Sequence, residues 1–382
     1  MWSFTRLPHD CRRWVRGTAS SGKAIPPPAS SQPVPTPRTV CHAATLAFPG
    51  RLAVATLCAL TLLHPAIAAP GDARTGNEPQ AAARLLARGE ADQALTVLGR
   101  RLATNAKDAL ALNLQCRVLY AEQRATDAEK PCTRAAQLAP GVSSYHLWLG
   151  RVLGVEAEHA SLFSAYGLAR QVRAEFEAAH QLDPHDAGAA ADLGRFYVEA
   201  PRFVGGGQAK AQALANEVEV WSPALAHTLR AELAQSAKDP AAAETEWKAA
   251  AASRDARPDE WVTLAAFERK QNRIPEMLTA LDRAIALDTA QDDALVAAAR
   301  ELMHSGQRLS EAATLLRSYL ASPNQSEGAP AFVVHAELAR VLAQMGDTGG
   351  ADQEMAAARA LATGWQPHRG NRQGPGSDRQ GA

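Results

Sequence analysis

The stretch YHLWLGRVL, residues 145–153, decides how the chain is read, because two others fall into register with it: AAADLGRFY at 189–197 and VHAELARVL at 334–342. In each, large side chains recur at spacings of three and four around a small central residue, Gly150, Gly194 or Ala339. That spacing marks one face of a helix. A second trio follows behind: AEKPCTRAAQLAP ending at Pro140, VRAEFEAAHQLDP ending at Pro184 and MLTALDRAIALDT ending at Thr289. Proline stops the first two where no further backbone donor is needed, and Thr289 marks the stop of the third. Paired helices returning at a fixed interval predict a repeat array.

The pattern resembles the tetratricopeptide repeat, a helix–turn–helix unit of about 34 residues. The match is best over 109–142, 143–186, 187–225 and 258–291, with weaker copies at 75–108, 224–257, 292–326 and 332–363. Leu149, Gly150, Leu153, Phe176, Ala179 and Pro184 stand where that family places its bulky, small and terminating residues, as do Leu193, Gly194 and Tyr197 in the next copy. Trp261, Leu264, Ala265, Leu281 and Ala284 fit without gaps. The resemblance implies an all-α fold, a right-handed α-solenoid of about eight helix–turn–helix repeats. Small residues let paired helices approach, bulky ones fill the seam, and stacking is required because one repeat cannot bury its apolar face alone.

Two departures stand out. About ten extra residues lie between Gly150 and Phe176, predicted to lengthen both helices of that hairpin or to form a protruding loop. About five lie between Tyr197 and Trp221, around APRFVGGG (200–207). A long third hairpin followed by this turn resembles a subgroup of exported bacterial repeat proteins. The triple glycine lacks the G-x-x-x-x-G-K-[ST] spacing of a phosphate loop, since Ala211 follows Lys210 and a helix precedes it. It reads as a turn with positive φ.

The first 68 residues differ from the rest. Arg6, Arg12, Arg13, Arg16, Lys23 and Arg38 precede Arg51, the apolar run Leu52–Leu63 and the small-residue exit Ala66-Ile67-Ala68. This is the pattern of a secretory signal peptide cleaved after Ala68, and the run is too short for a stable membrane anchor. A start near Val40 gives such a peptide its ordinary length; the alternative for 1–50 is an organellar transit peptide, which makes the compartment mitochondrial rather than periplasmic or secreted. Residues 69–74 read as a linker, 75–363 as the solenoid and 364–382 as a polar, Gly-rich disordered tail. The leader takes seven of the 40 basic residues and one of the 40 acidic ones, leaving 33 against 39, a net of −6. That balance argues against nucleic-acid partners.

Cys11, Cys41 and Cys58 belong to the leader, leaving Cys116 and Cys132. By the resemblance they stand on the facing sides of one hairpin, where a disulfide would staple it; the alternative is two buried thiols.

The same resemblance assigns a concave groove to the first helices. One position along it holds Arg117, Arg151, Arg195, Arg300 and Arg340, with Asn113, Tyr120, Arg269, Lys270 and His304 on the same surface. An arginine ladder implies a clamp for an acidic or C-terminal peptide, because guanidinium forks bind carboxylates bidentately. The competing reading pairs each arginine with an acid of the array, such as Glu199 or Glu232. Metalloprotease, serine-hydrolase and haem-attachment signatures are absent from the sequence, and His146, His159, His180, His185 and His227 are scattered. The expectation is a non-catalytic scaffold of the cell envelope with no cofactor or metal, holding a protein or peptide. The alternative is an accessory subunit of a polysaccharide or cell-wall assembly machine, docked through the long third hairpin.

Overall fold

The computed structural model describes residues 78–365. The leader, its cleavage site, the linker and residues 366–382 lie outside the described residues. Within them sixteen α-helices follow one another as eight antiparallel hairpins, with no strand. The hairpins are α1 (Glu78–Ala87) with α2 (Ala91–Thr104), α3 (Ala109–Ala121) with α4 (Ala125–Leu138), α5 (Ser143–His159) with α6 (Leu162–Leu182), and α7 (Ala187–Glu199) with α8 (Gln208–Val218). Then come α9 (Pro223–Ser236) with α10 (Pro240–Ala252), α11 (Pro258–Lys270) with α12 (Ile274–Leu287), α13 (Asp293–Ser305) with α14 (Leu309–Ala321), and α15 (Ala331–Gln344) with α16 (Thr348–Leu361). The fold is an all-α solenoid of tetratricopeptide-like hairpins.

Local chemistry sets the helix ends. Asp108, Asp186, Asp239, Asp292 and Asp347 each accept a backbone N–H of the helix they precede, supplying an acceptor that the first turn lacks. Five hairpins reverse through one left-handed residue, Gly89, Gln123, Lys238, Asn272 or Gly346, and the seventh through two, Gly306 and Arg308. The two built differently are the third and fourth, which carry the insertions. In the third, both helices are lengthened, to 17 and 21 residues. In the fourth, a 3-10 turn over Arg202–Val204 precedes the glycines.

Seam packing follows the small-residue pattern. A Cβ on Gly150 would lie 2.5 Å from the Phe176 ring, and one on Gly194 would strike Leu229. First helices of neighbouring hairpins touch one another (α3 with α5, α7 with α9, α11 with α13, α13 with α15), which puts them on the inner side of the curve.

The array's end packs on its beginning. Leu86, Ala94, Leu98, Leu114 and Val118 share one buried cluster with Phe332, Ala336, Ala358 and Trp365. Around it, Gly89 abuts the backbone of Ala331, the Thr363 N–H donates to both Asp92 carboxylate oxygens at 3.1 and 3.0 Å, and Glu327 reaches Arg117. Gly364 packs against Glu122 and Arg124. The last hairpin thus brings the edge where hairpins join against the edge where the first two hairpins turn. Terminal repeats of open arrays carry polar outer faces; here apolar faces meet instead. Gly364 and Trp365, which composition assigns to the disordered tail, are packed in this contact: Trp365 is buried with its ring centroid 5.4 Å from Phe332.

Candidate functional site

The ladder arginines sit on first helices as the repeat register requires, but four of the five are paired within the array. Arg151 Nε donates to Asp192 at 2.6 Å, Arg195 to Glu232 at 3.4 and 3.3 Å, and Arg300 twice to Glu337 at 2.9 and 2.7 Å, each partner lying one hairpin further on. Arg269 does the same with Glu301 at 2.6 Å. Arg117 pairs with Glu327, from the junction before the last hairpin, at 2.9 and 2.6 Å. Only Arg340 is exposed and unpaired with any described carboxylate. The ladder is therefore close to neutral, and the electrostatic case for an acidic groove ligand is correspondingly weakened. Burial disfavours the charge of Arg195, but Glu232, Asp192 and Glu199 outweigh it and raise its pKa. Burial likewise raises that of Glu232, with Arg195 opposing.

Asn113 is not on an open groove surface: it is 1% exposed, and neither atom of its amide has a partner. The reason is that α3 is covered twice. Leu112, Cys116 and Leu119 belong to the cluster shared with α4 and the hairpins that follow, while Ala111, Leu114 and Val118 belong to the one shared with the first and last hairpins. Tyr120 is half-buried with its ring edge-on to Trp148 at 5.4 Å. The Arg117 and Arg151 guanidiniums lie 5.4 and 4.6 Å from the Trp148 ring centre. Arg117, Tyr120 and Arg151 are thereby gathered around one indole, whereas Arg195, Arg300 and Arg340 stand apart on later hairpins.

Cys116 and Cys132 are fully buried with sulfurs within bonding distance and Cα atoms 5.2 Å apart, the separation a disulfide spans. Among the described residues no group of three or more His, Cys, Asp or Glu is placed to hold a metal, and no helix is long and apolar enough to cross a membrane. Four of the histidines, His146, His180, His227 and His335, are bonded to glutamates. His146, His227 and His335 occupy one repeat position and bond Glu175, Glu246 and Glu354 of their own second helices at 2.7, 2.7 and 2.6 Å. An acid on the facing side of each hairpin is the signal that sequence reading passed over.

The triple glycine is a turn. Gly205 and Gly207 have φ of +101° and +142°, and a side chain on Gly206 would collide with the Ala200 carbonyl. Their three N–H groups donate to Arg202, Pro201 and Tyr197 carbonyls, leaving none for a phosphate. The Lys210 ammonium donates to the Gly205 carbonyl at 3.0 Å and lies 3.7 Å from Glu177. Tyr197 donates its hydroxyl to Glu177 at 2.9 Å; burial and that carboxylate push its pKa up. Glu177 belongs to α6, so the insertion of hairpin four is tied to the long helix of hairpin three. At the tip of this joint the Tyr166 and Phe203 rings stack, 6.0 Å apart and 17° from parallel.

No family model matches the chain, and no curated protein does. Solved structures similar to it are tetratricopeptide repeat proteins at low identity. A thermophilic TPR protein of Thermus thermophilus is 19% identical, with 60% of this chain and 99% of that one covered, at a TM-score of 0.40. A tetratricopeptide repeat protein of Parabacteroides merdae is 10% identical, with 70% and 98% covered, at 0.39. Yeast Tom70 is 16% identical, with 71% and 55% covered, at 0.45.

Proposed function

We propose that the chain is a non-catalytic scaffold of the cell envelope that holds a protein or peptide partner on the face formed by its first helices. The observation that carries this reading is the state of Arg151. Its Nε is committed to Asp192, which fixes the side chain over Trp148, while its terminal amino groups have no described hydrogen-bond partner. An oriented guanidinium on an aromatic platform suits a peptide carbonyl or carboxylate, because its donors are fixed before the ligand arrives. The envelope assignment rests on the apolar run Leu52–Leu63 and the exit at Ala68.

Affinity capture from envelope extract tests the groove, with the native protein and an Arg151→Gln variant as baits, both shown folded by circular dichroism. A partner held by the native bait and lost by the variant supports the reading. A partner held equally by both removes the groove as the site. Intact-mass measurement of protein recovered from the envelope should find the chain beginning at Ala69; a chain retaining residues 1–68 counts against export.

A further inference from the structure

The two insertions that break the repeat pattern meet in space and build a surface of their own. Phe203, 62% exposed, stacks on Tyr166, 44% exposed, and Phe163, three residues before Tyr166 on α6, is 94% exposed. The cluster is held by a supported base. Arg173 lies 3.6 Å from Glu177, which also accepts the Tyr197 hydroxyl, and Val204 beneath Phe203 is buried. The exposed Arg170 guanidinium lies over the Tyr166 ring at 5.9 Å, and the exposed Arg202 adjoins Phe203 in the 3-10 turn. Neither forms an ion pair with a described carboxylate, in contrast to the neutralised ladder.

We infer that this aromatic tip is a docking surface for a segment of a partner protein that carries apolar side chains together with Asp or Glu. The inference rests on the scaffold reading but places the partner away from the Arg151 groove. Exposed aromatic rings are common anchors of protein interfaces, and nearby charges select the partner's sign. Two arginines without carboxylates call for acids. A bilayer of anionic lipid is disfavoured by the net charge of −6 that follows from the composition beyond the leader. A second copy docked tip to tip would set Arg170 and Arg202 against like charges.

The probe is a displayed library of random dodecapeptides, selected on the purified native protein alone; each enriched peptide is then measured against a Phe163→Ser, Phe203→Ser double variant. All substituted residues are exposed, so both variants keep the native circular dichroism. The expected peptides pair an aromatic or aliphatic residue with Asp or Glu, and they bind the double variant at least tenfold more weakly. Arg170→Glu with Arg202→Glu weakens them similarly, as does exchanging their acids for amides. Peptides that bind the double variant as well as the native protein but lose affinity on Arg151→Gln leave the groove standing and overturn the tip. Peptides without acids, or no enrichment at all, also overturn it. So does a concentration-dependent dimer in light scattering that the double variant abolishes, or phosphatidylglycerol vesicles that sediment only the native protein.

Discussion

The Glu327 carboxylate grips the Arg117 guanidinium through two hydrogen bonds, 2.9 and 2.6 Å long, across 210 residues of chain. It is the polar clasp beside the apolar contact that joins the array's end to its beginning. Both side chains keep about a quarter of their surface in water, so screening limits the pair to about 1 kcal/mol of coupling. A double-mutant cycle with Arg117→Ala and Glu327→Ala, read by denaturant unfolding, should return that value. Hydrogen exchange should show α15 losing protection in either single variant. Unchanged exchange would mean that the apolar cluster holds the closure without the clasp.

Ladder arginines should differ by what they leave behind. Arg300→Ala strands the Glu337 carboxylate, which is 5% exposed, and should cost about 1–3 kcal/mol. Arg340→Ala, at the same repeat position but exposed, should change stability by less than about 0.5 kcal/mol. Equal losses in urea unfolding would contradict the pairing.

Gly150→Ala should destabilise by about 1–3 kcal/mol, because the added methyl meets the Phe176 ring in a filled seam. Phe176→Leu should recover part of the loss in the double variant. Additive losses would show that the ring is not what the methyl strikes.

Thiol titration of the denatured, unreduced protein should find neither Cys116 nor Cys132 reactive. Reduction should lower stability by about 3 kcal/mol, the chain-entropy value for a loop of this size. Two free thiols in the oxidised protein would rule out the bond.

Glu232 supplies a pH test. Its folded pKa lies above the ordinary value of 4.5, first through burial, so the folded state takes up its proton at higher pH than the unfolded state does. The native protein should therefore gain stability relative to Glu232→Gln as pH falls from 7 through its folded pKa, levelling off below about 4.5. A difference that is flat over this window, or that shrinks, would contradict the assignment.

The hairpins were legible because a small residue set against a large one recurs along the chain, within a hairpin at Gly150 and Phe176 and between hairpins at Gly194 and Leu229. Which insertion lengthens helices and which forms a turn was only half legible. Residues 155–170 hold one glycine, Gly167, and no proline, so helix extends to both sides of the turn at 160–161, while glycine at 205–207 stops it. The closing contact was not legible, since it joins Asp92 to Thr363 and Arg117 to Glu327, and no local period reports on such distances. Its one local trace is Trp365, an apolar residue at the head of a polar tail. The neutral ladder was legible in principle: Asp192 and Glu337 sit three residues before Arg195 and Arg340, in reach of the preceding hairpin's arginine.

Joining end to beginning also fixes the count of hairpins. An open solenoid tolerates the gain or loss of a unit, since each repeat needs only its neighbours. Here an array of seven or of nine hairpins would carry Glu327 away from Arg117 and Trp365 away from the seat beside Leu86 and Leu98. Duplication, the ordinary route by which repeat arrays diversify, is closed to this chain. Change is left to surface side chains, to loops and to the turn ends of hairpins, where the insertions at Phe163 and Phe203 lie.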